Sequence, residues 1–237
     1  MLPIIIGFLL LIASGSVFFI GPATNQDLYL TFQVDVKSSS QDLEDITTIL
    51  ERHDVKATFF VMSNWVHNNT NTTIHLADNY EIGCLGVNGT RLALLEEGVL
   101  REEILGCTNV LEELNISVHG FRAPHKDINQ QAQKILLEHN LYDSSTLQRY
   151  TWFWEKTPNL VTHPISAAGL IPLDDSLFSV FRHNSPYYFL ARQTRQSDVI
   201  LAMNTKNVQA FELDYLIAFY SHHGATSKEL QERSAWS

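Results

Sequence analysis

Short apolar runs alternate with segments of helical period along this chain, and that alternation limits the fold more than any other feature. Leu28–Val36 reads as a strand. Ser39-x-x-Asp42 resembles a capping box, and Leu43, Ile46 and Leu50 then fall on one helical face. Ala57–Met62 (ATFFVM) is a continuous apolar run, as expected of a strand buried on both faces. Glu81–Leu85 is a third strand. A long helix is expected from Leu92 to Leu114, with Leu100, Ile104, Cys107, Leu111 and Leu114 on one stripe. Val118–Ala123 is a fourth strand, and Asp127–Asn140 a helix with Ile128, Ala132 and Ile135 aligned. Tyr142–Leu147 and Asp198–Met203 (DVILAM) are further strands, and Val208–His222 is the last helix. The polar stretch Asn68–Thr73 reads as a surface loop, and residues 148–195 are irregular and rich in aromatics. Repeated βα units imply an α/β fold with a parallel sheet, open or closed as a barrel. In both cases ligands bind at the carboxyl ends of the strands, so the strand ends are where function is to be sought.

The chain has 237 residues, 45% of them hydrophobic, enough for a sizeable core. No linker, repeat or low-complexity break follows the N-terminus. The net charge of −10 argues against nucleic acid and against anionic membrane surfaces as partners. Residues 1–26 carry no charged side chain before Asp27, and residues 1–22 read as a cleaved signal peptide or an uncleaved signal anchor. A domain over residues 27–225 and a tail over 226–237 complete the organisation. Export makes the four N-x-S/T sequons at Asn68, Asn71, Asn88 and Asn115 candidate glycosylation sites. Export also makes Cys84 and Cys107 either a disulfide or a pair of buried thiols.

The strand ends, taken together, are specific. LTFQVDV, ILERHDVKATFFVM, YEIGCLGVNGT, VHGFRAPHKDIN and SDVILAMN, in this order and spacing, resemble the polysaccharide deacetylase family of chitin and peptidoglycan deacetylases. The resemblance covers roughly residues 27–225. It implies a distorted (β/α) barrel and hydrolysis of N-acetyl groups assisted by zinc or another divalent metal. In that family the first strand ends in two aspartates, one the general base and one a metal ligand. Two histidines after the third strand complete the metal site. An arginine in an R-x-P motif orients the base, and a histidine on the last strand protonates the leaving amine.

Carried over position by position, most of these roles fall on residues that cannot perform them. The base falls on Gln33, an amide that cannot accept the water's proton. The metal aspartate falls on Asp35, or on Val34 if the two positions are adjacent. The metal histidines fall on Leu85 and Gly89, with Cys84 or Asn88 one residue away, and the acid falls on Met203, beside Asn204. Arg122 and Pro124 are kept, followed by His125 where the family has an aromatic residue. A divalent site needs about three protein ligands, so no bound metal or other cofactor is expected.

The remaining candidates are weaker. His119, His125 and His163 are a candidate replacement metal cluster, against which stands the coincidence that ten histidines make easy. Trp152 and Trp154 are candidates for stacking on sugar rings or for packing at the rim. With position 33 an amide, Arg122 is expected to bond Gln33 or Asp35. Asp174 and Asp175 read as a turn, and His222–His223 as a helix C-cap before Gly224. The functional expectation is a monomeric, secreted or cell-surface protein of deacetylase type that is catalytically inactive. A binding or structural role at a chitin-like or other N-acetylated wall polymer would involve Arg122, Pro124, His125, Trp152 and Trp154. The alternatives are an active metal-dependent deacetylase with a rearranged site, and an interaction module with a filled groove.

Overall fold

The computed structural model describes residues 26–146, 157–168, 171–175, 187–188, 191–192 and 198–233. Strands β1 (Asp27–Val34), β2 (Ala57–Val61), β3 (Glu81–Cys84), β4 (Gly120–Phe121) and β5 (Tyr142–Asp143) lie side by side. Helices α1 (Ser40–Arg52), α2 (Ser63–Asn68), α3 (Thr70–Ala77), α4 (Glu97–Glu113) and α5 (Gln130–Glu138) connect them. The hairpin of β6 (Ala167–Ala168) and β7 (Ile171–Pro172) follows, then β8 (Asp198–Asn204), α6 (Ala210–His222) and β9 (Thr226–Ser227). The main sheet is wholly parallel in the order β5-β4-β3-β2-β1-β8, with β9 added beside the start of β1.

Backbone pairing continues between the two sheet edges. Asp143 pairs with Thr162, Ser166 donates to Ile200 O at 3.1 Å, and Leu173 donates to Ser166 O at 2.7 Å. Asp174 pairs with Ala202, and Ala202 donates to Leu173 O at 3.0 Å. Residues 162–168 and 171–175 thus complete a distorted (β/α) barrel, as the family resemblance implied.

The period of two divides each strand between the barrel interior and the helical layer. Cys84 points to the helices, where it forms a disulfide with Cys107 of α4, the pairing expected from sequence. Phe32 stacks on Phe59 at 5.0 Å in the same outer layer. Thr31, Thr58, Phe60 and Glu81 therefore point inward, and interior side chains meet there. Thr58 donates to Glu81 Oε2 at 2.6 Å, and Tyr142 donates to Glu81 Oε1 at 2.7 Å. α1 is capped as expected: Ser39 Oγ accepts from the Asp42 N–H, and the Ser39 N–H donates to the Asp42 carboxylate.

Three expectations need correction. Asn68–Thr73 is not a loop but the junction of α2 and α3. The buried Trp65, Val66, Thr73 and Leu76 anchor these helices, and the Trp65 indole donates to Ser38 O at 3.0 Å. The segment expected as one helix from Leu92 begins as a 3-10 turn, Leu92–Leu94, before α4 starts at Glu97. Residues 226–233 are not a tail. β9 pairs with Asp27 and Leu28, Leu230 is fully buried, and the Gln231 N–H donates to Glu81 Oε2 at 3.1 Å. Arg233 pairs with Asp198 at 3.2 Å, so this segment closes the base of the barrel. Among the described residues no helix is long and apolar enough to cross a membrane. The expected signal segment lies outside the described residues.

Candidate active-site end of the barrel

At the end of β1, Gln33 is half-buried and stands in register with Phe60 on one side and Asn204 on the other. Partners in a parallel ladder point the same way, so Gln33 and Asn204 are adjacent inward amides. Met203 pairs with Phe32 and is fully buried in the outer layer. The position facing the site at the end of β8 is therefore Asn204, which corrects the placement of the acid position on Met203.

Asp35 follows β1. Its carboxylate accepts from Lys206 Nζ at 2.6 Å, from the Lys37 N–H at 2.8 Å and from Asn204 Nδ2 at 3.3 Å. Burial pushes this carboxyl up, but the bonds from Lys206, Lys37 and Asn204 outweigh it and hold the group below the ordinary aspartate range.

Arg122, just past β4, is wholly buried. Its Nε donates to Ser144 O at 3.0 Å, Nη2 to Ser144 Oγ at 2.7 Å and Nη1 to Thr31 Oγ1 at 2.8 Å. Its guanidinium carbon lies 4.3 Å from the centre of the Phe60 ring. The expected bond to Gln33 or Asp35 is thus replaced by one to Thr31, one step deeper on the same face. Burial lowers the guanidinium to about 10, opposed by the charges of Asp174 and Asp143.

The former histidine positions are unsuited to a cation. Leu85 is buried and apolar. Gly89 has φ +74°, so a histidine there would be strained, and the Met62 side chain would have to move aside for its Cβ. Cys84 is committed to its disulfide. Asn88 Oδ1 accepts from Asn64 Nδ2, and the Asn88 N–H donates to Glu103 Oε1 at 2.8 Å. The histidine trio does not converge either. His119 precedes β4 and His125 follows it, while His163 is buried at the base against Tyr142 and Arg233. Burial, then the Arg233 charge, lowers His163 to about 4. Among the described residues, no group of three or more His, Cys, Asp or Glu side chains is arranged to hold a metal. The donor set does not fit the family's metal.

Two features were missed from sequence. Asp174 and Asp175, expected as a turn, are both buried beside β8. Asp174 forms an ion pair with Lys126, and Asp175 Oδ2 accepts from the Asn204 N–H at 2.9 Å. Burial pushes Asp175 up to about 7. His125 and Lys126 are consecutive non-glycine residues in the left-handed region, with φ of 58° and 57°. The adjacent aspartates and the lysine after RAPH were the available signals. Pro124 is buried and His125 exposed. Trp152 and Trp154 lie outside the described residues. Asn68, Asn71, Asn88 and Asn115 are all exposed. His223 caps α6 before Gly224, as expected.

Comparison with known proteins agrees with this architecture. The family model described as polysaccharide deacetylase matches residues 21–143. The uncharacterized protein YlxY of Bacillus subtilis (strain 168) is 37% identical over 90 residues, which are 38% of this chain and 28% of that protein. The chain thus aligns with well under half of that curated relative. A CE4 family pseudoenzyme from Bacillus anthracis superposes with a TM-score of 0.68 at 19% identity, over 88% of this chain and 65% of the other. A mutant of a CE4 family pseudoenzyme described as having restored enzymatic activity gives a TM-score of 0.70 at 19% identity, over 88% and 67%. A family 4 carbohydrate esterase from Streptomyces lividans, in complex with acetate, gives 0.67 at 14% identity, over 91% and 99%. At these identities the structural likenesses bear on the fold, and it is the sequence model, spanning just over half of the residues, that places the chain: it belongs to the polysaccharide deacetylase family.

Proposed function

We propose that this chain is a secreted or cell-surface deacetylase-like domain that does not deacetylate, and that it serves as a binding or structural component at an N-acetylated, chitin-like wall polymer. The observation that carries this reading is the pair of inward amides, Gln33 and Asn204, in register where a base and an acid are needed. Neither exchanges a proton with a reacting group near neutral pH. General acid–base assistance accounts for about 10²–10⁴ in rate, and the arginine that remains is turned to Thr31.

The test is acetate release from acetylated chitooligosaccharides by the purified chain with zinc or cobalt supplied. The expected result is release at the uncatalysed rate. Turnover at rates typical of a deacetylase, abolished by a chelator, overturns the proposal. A rearranged enzyme using Asp35 predicts instead that activity appears and vanishes in Asp35→Asn.

A second reading, an interaction module with a filled groove, is favoured by the apolar Leu85 and by Met62 packed at Gly89. Pull-down on insoluble chitin separates the two. Retention favours the glycan-binding role, and loss of retention in Trp152→Ala or Trp154→Ala assigns the contact to those residues.

A further inference from the structure

We propose that lysine side chains are the resident cations of the barrel mouth, Lys206 on Asp35 where the family holds a divalent metal and Lys126 on Asp174 deeper in the interior, so that the mouth is charge-balanced without metal and closed to it. The proposal rests on the reading of this end of the barrel as catalytically silent and adds a physical cause for it.

The pair joins opposite walls. Lys126 follows β4, whereas Asp174 is in register with Ala202 on the free side of β8. Ala202 pairs with Thr31, which faces inward to Arg122, so Asp174 lies on the inward face as well. A bond between these two residues therefore crosses the interior, as the Arg122–Thr31 bond does. Both partners are largely withdrawn from water, with side-chain exposures of 13% for Lys126 and 3% for Asp174. An ammonium and a carboxylate so withdrawn are tolerated because each neutralises the other.

The backbone that carries Lys126 is unusual. His125 and Lys126 both adopt left-handed φ, a conformation unfavourable for side-chain-bearing residues, which persists where the surroundings over-determine it. The same turn leaves His125 exposed while Lys126 reaches Asp174. A second pair repeats the arrangement at the rim, where Lys206 holds Asp35 at 2.6 Å. The third carboxylate, Asp175, accepts the Asn204 N–H. Each of the three thus already has a protein donor, and two have a lysine. An incoming dication would have to displace an ammonium from a low-dielectric site and would meet Arg122 as a further positive charge.

The experiment has two parts. In the first, the wild-type protein is dialysed against zinc and separately against cobalt at neutral pH. Bound metal is then quantified, and thermal unfolding is followed with and without chelator. The expected result is no stoichiometric metal and an unfolding midpoint unchanged by metal or chelator. One equivalent of tightly held metal, lost in Asp35→Asn or Asp174→Asn, overturns the proposal. In the second, Lys126→Met, Asp174→Asn and the double variant are compared by thermal unfolding. Each single change takes one charge out of the pair and leaves the other largely withdrawn from water, so the double variant is expected to unfold at a higher temperature than Lys126→Met. Additive losses overturn the pairing role, and a Lys126→Met chain that does not fold while the double variant does supports it. Acetate release without bound metal would overturn the proposed function and leave this inference standing, whereas bound metal without acetate release would do the reverse.

Discussion

Arg122 Nη1 donates to Thr31 Oγ1 at 2.8 Å, a bond that spans the barrel from β4 to β1. Thr31 Oγ1 in turn donates to Leu201 O at 2.8 Å, which ties β8 to the same network. Thr31→Val keeps the shape of the side chain and removes both bonds, leaving a buried guanidinium N–H without its acceptor. The expected cost is about 2–3 kcal/mol, since the group left unmade is charged. Arg122→Met should cost less than a lone buried charge would suggest, because it removes the charge with its donors. Denaturant unfolding of both variants checks this order, and a neutral Thr31→Val contradicts it.

Asp175 supplies a pH dependence. Its folded-state carboxyl is raised to about 7 by burial, so the unfolded chain releases this proton at lower pH than the folded one. Its contribution to stability is fully present below the ordinary aspartate range and is lost as pH rises towards 7. Stability of the wild type relative to Asp175→Asn should fall by on the order of 3 kcal/mol between pH 4 and 7 and then level off. Urea unfolding at several pH values measures it, and a flat difference curve contradicts it.

His163 acts with the opposite sign. Its folded-state value is lowered to about 4, so stability is present above the ordinary histidine range and is lost as pH falls from about 6.5 to 4. His163→Phe should flatten that acid limb and leave the neutral plateau in place. Acid unfolding followed by circular dichroism distinguishes the two chains.

The base closure depends on Leu230, which is fully buried and whose N–H donates to Thr58 Oγ1 at 3.0 Å. Leu230→Ala should cost about 2–5 kcal/mol, as for other leucines removed from a packed interior. An effect no larger than that of Gln231→Ala, an exposed position, would show that the segment contributes little to the fold.

The Cys84–Cys107 disulfide joins the end of β3 to α4 across 23 residues. In the chain-entropy view a loop of this size stabilises by about 3 kcal/mol. The Cys84→Ala/Cys107→Ala protein should therefore unfold at lower denaturant by that margin and lose the sensitivity of its midpoint to reductant.

The barrel was legible because the apolar runs are buried where the alternation places them. β2 has every residue buried, and Leu43, Ile46 and Leu50 of α1 face the core. The disulfide was legible because Cys107 shares the buried stripe of Leu100, Ile104 and Leu111. Composition misled at Asn68–Thr73, where Trp65 and Leu76 on either side outweigh the helix-indifferent Asn and Thr between them. It misled again after residue 225, where one buried leucine, backbone bonds to Gln26 and Leu28 and an N–H donated to the Glu81 carboxylate decide the matter. At the mouth, motif counting located Gln33, Leu85, Gly89 and Arg122, but it could not tell which neighbour faces inward. That needed the register, which moves attention from Met203 to Asn204. Lys126 and Asp174 are 48 residues apart in sequence, and only the barrel brings them together.

β1 occupies the middle of the sheet, yet one of its neighbours begins at Asp198 and another at Thr226. The first of the described strands in chain order is thus among the last to be enclosed. Until β8 has left the ribosome, the edge of β1 opposite β2 is unpaired, and until Gln231 has followed, the base lacks the segment that covers Glu81. A chain built this way cannot complete its barrel before β8 has been made. It must pass through a period in which an apolar strand is open to other chains, and a chaperone or an immediate transfer out of the compartment of synthesis would shorten that exposure.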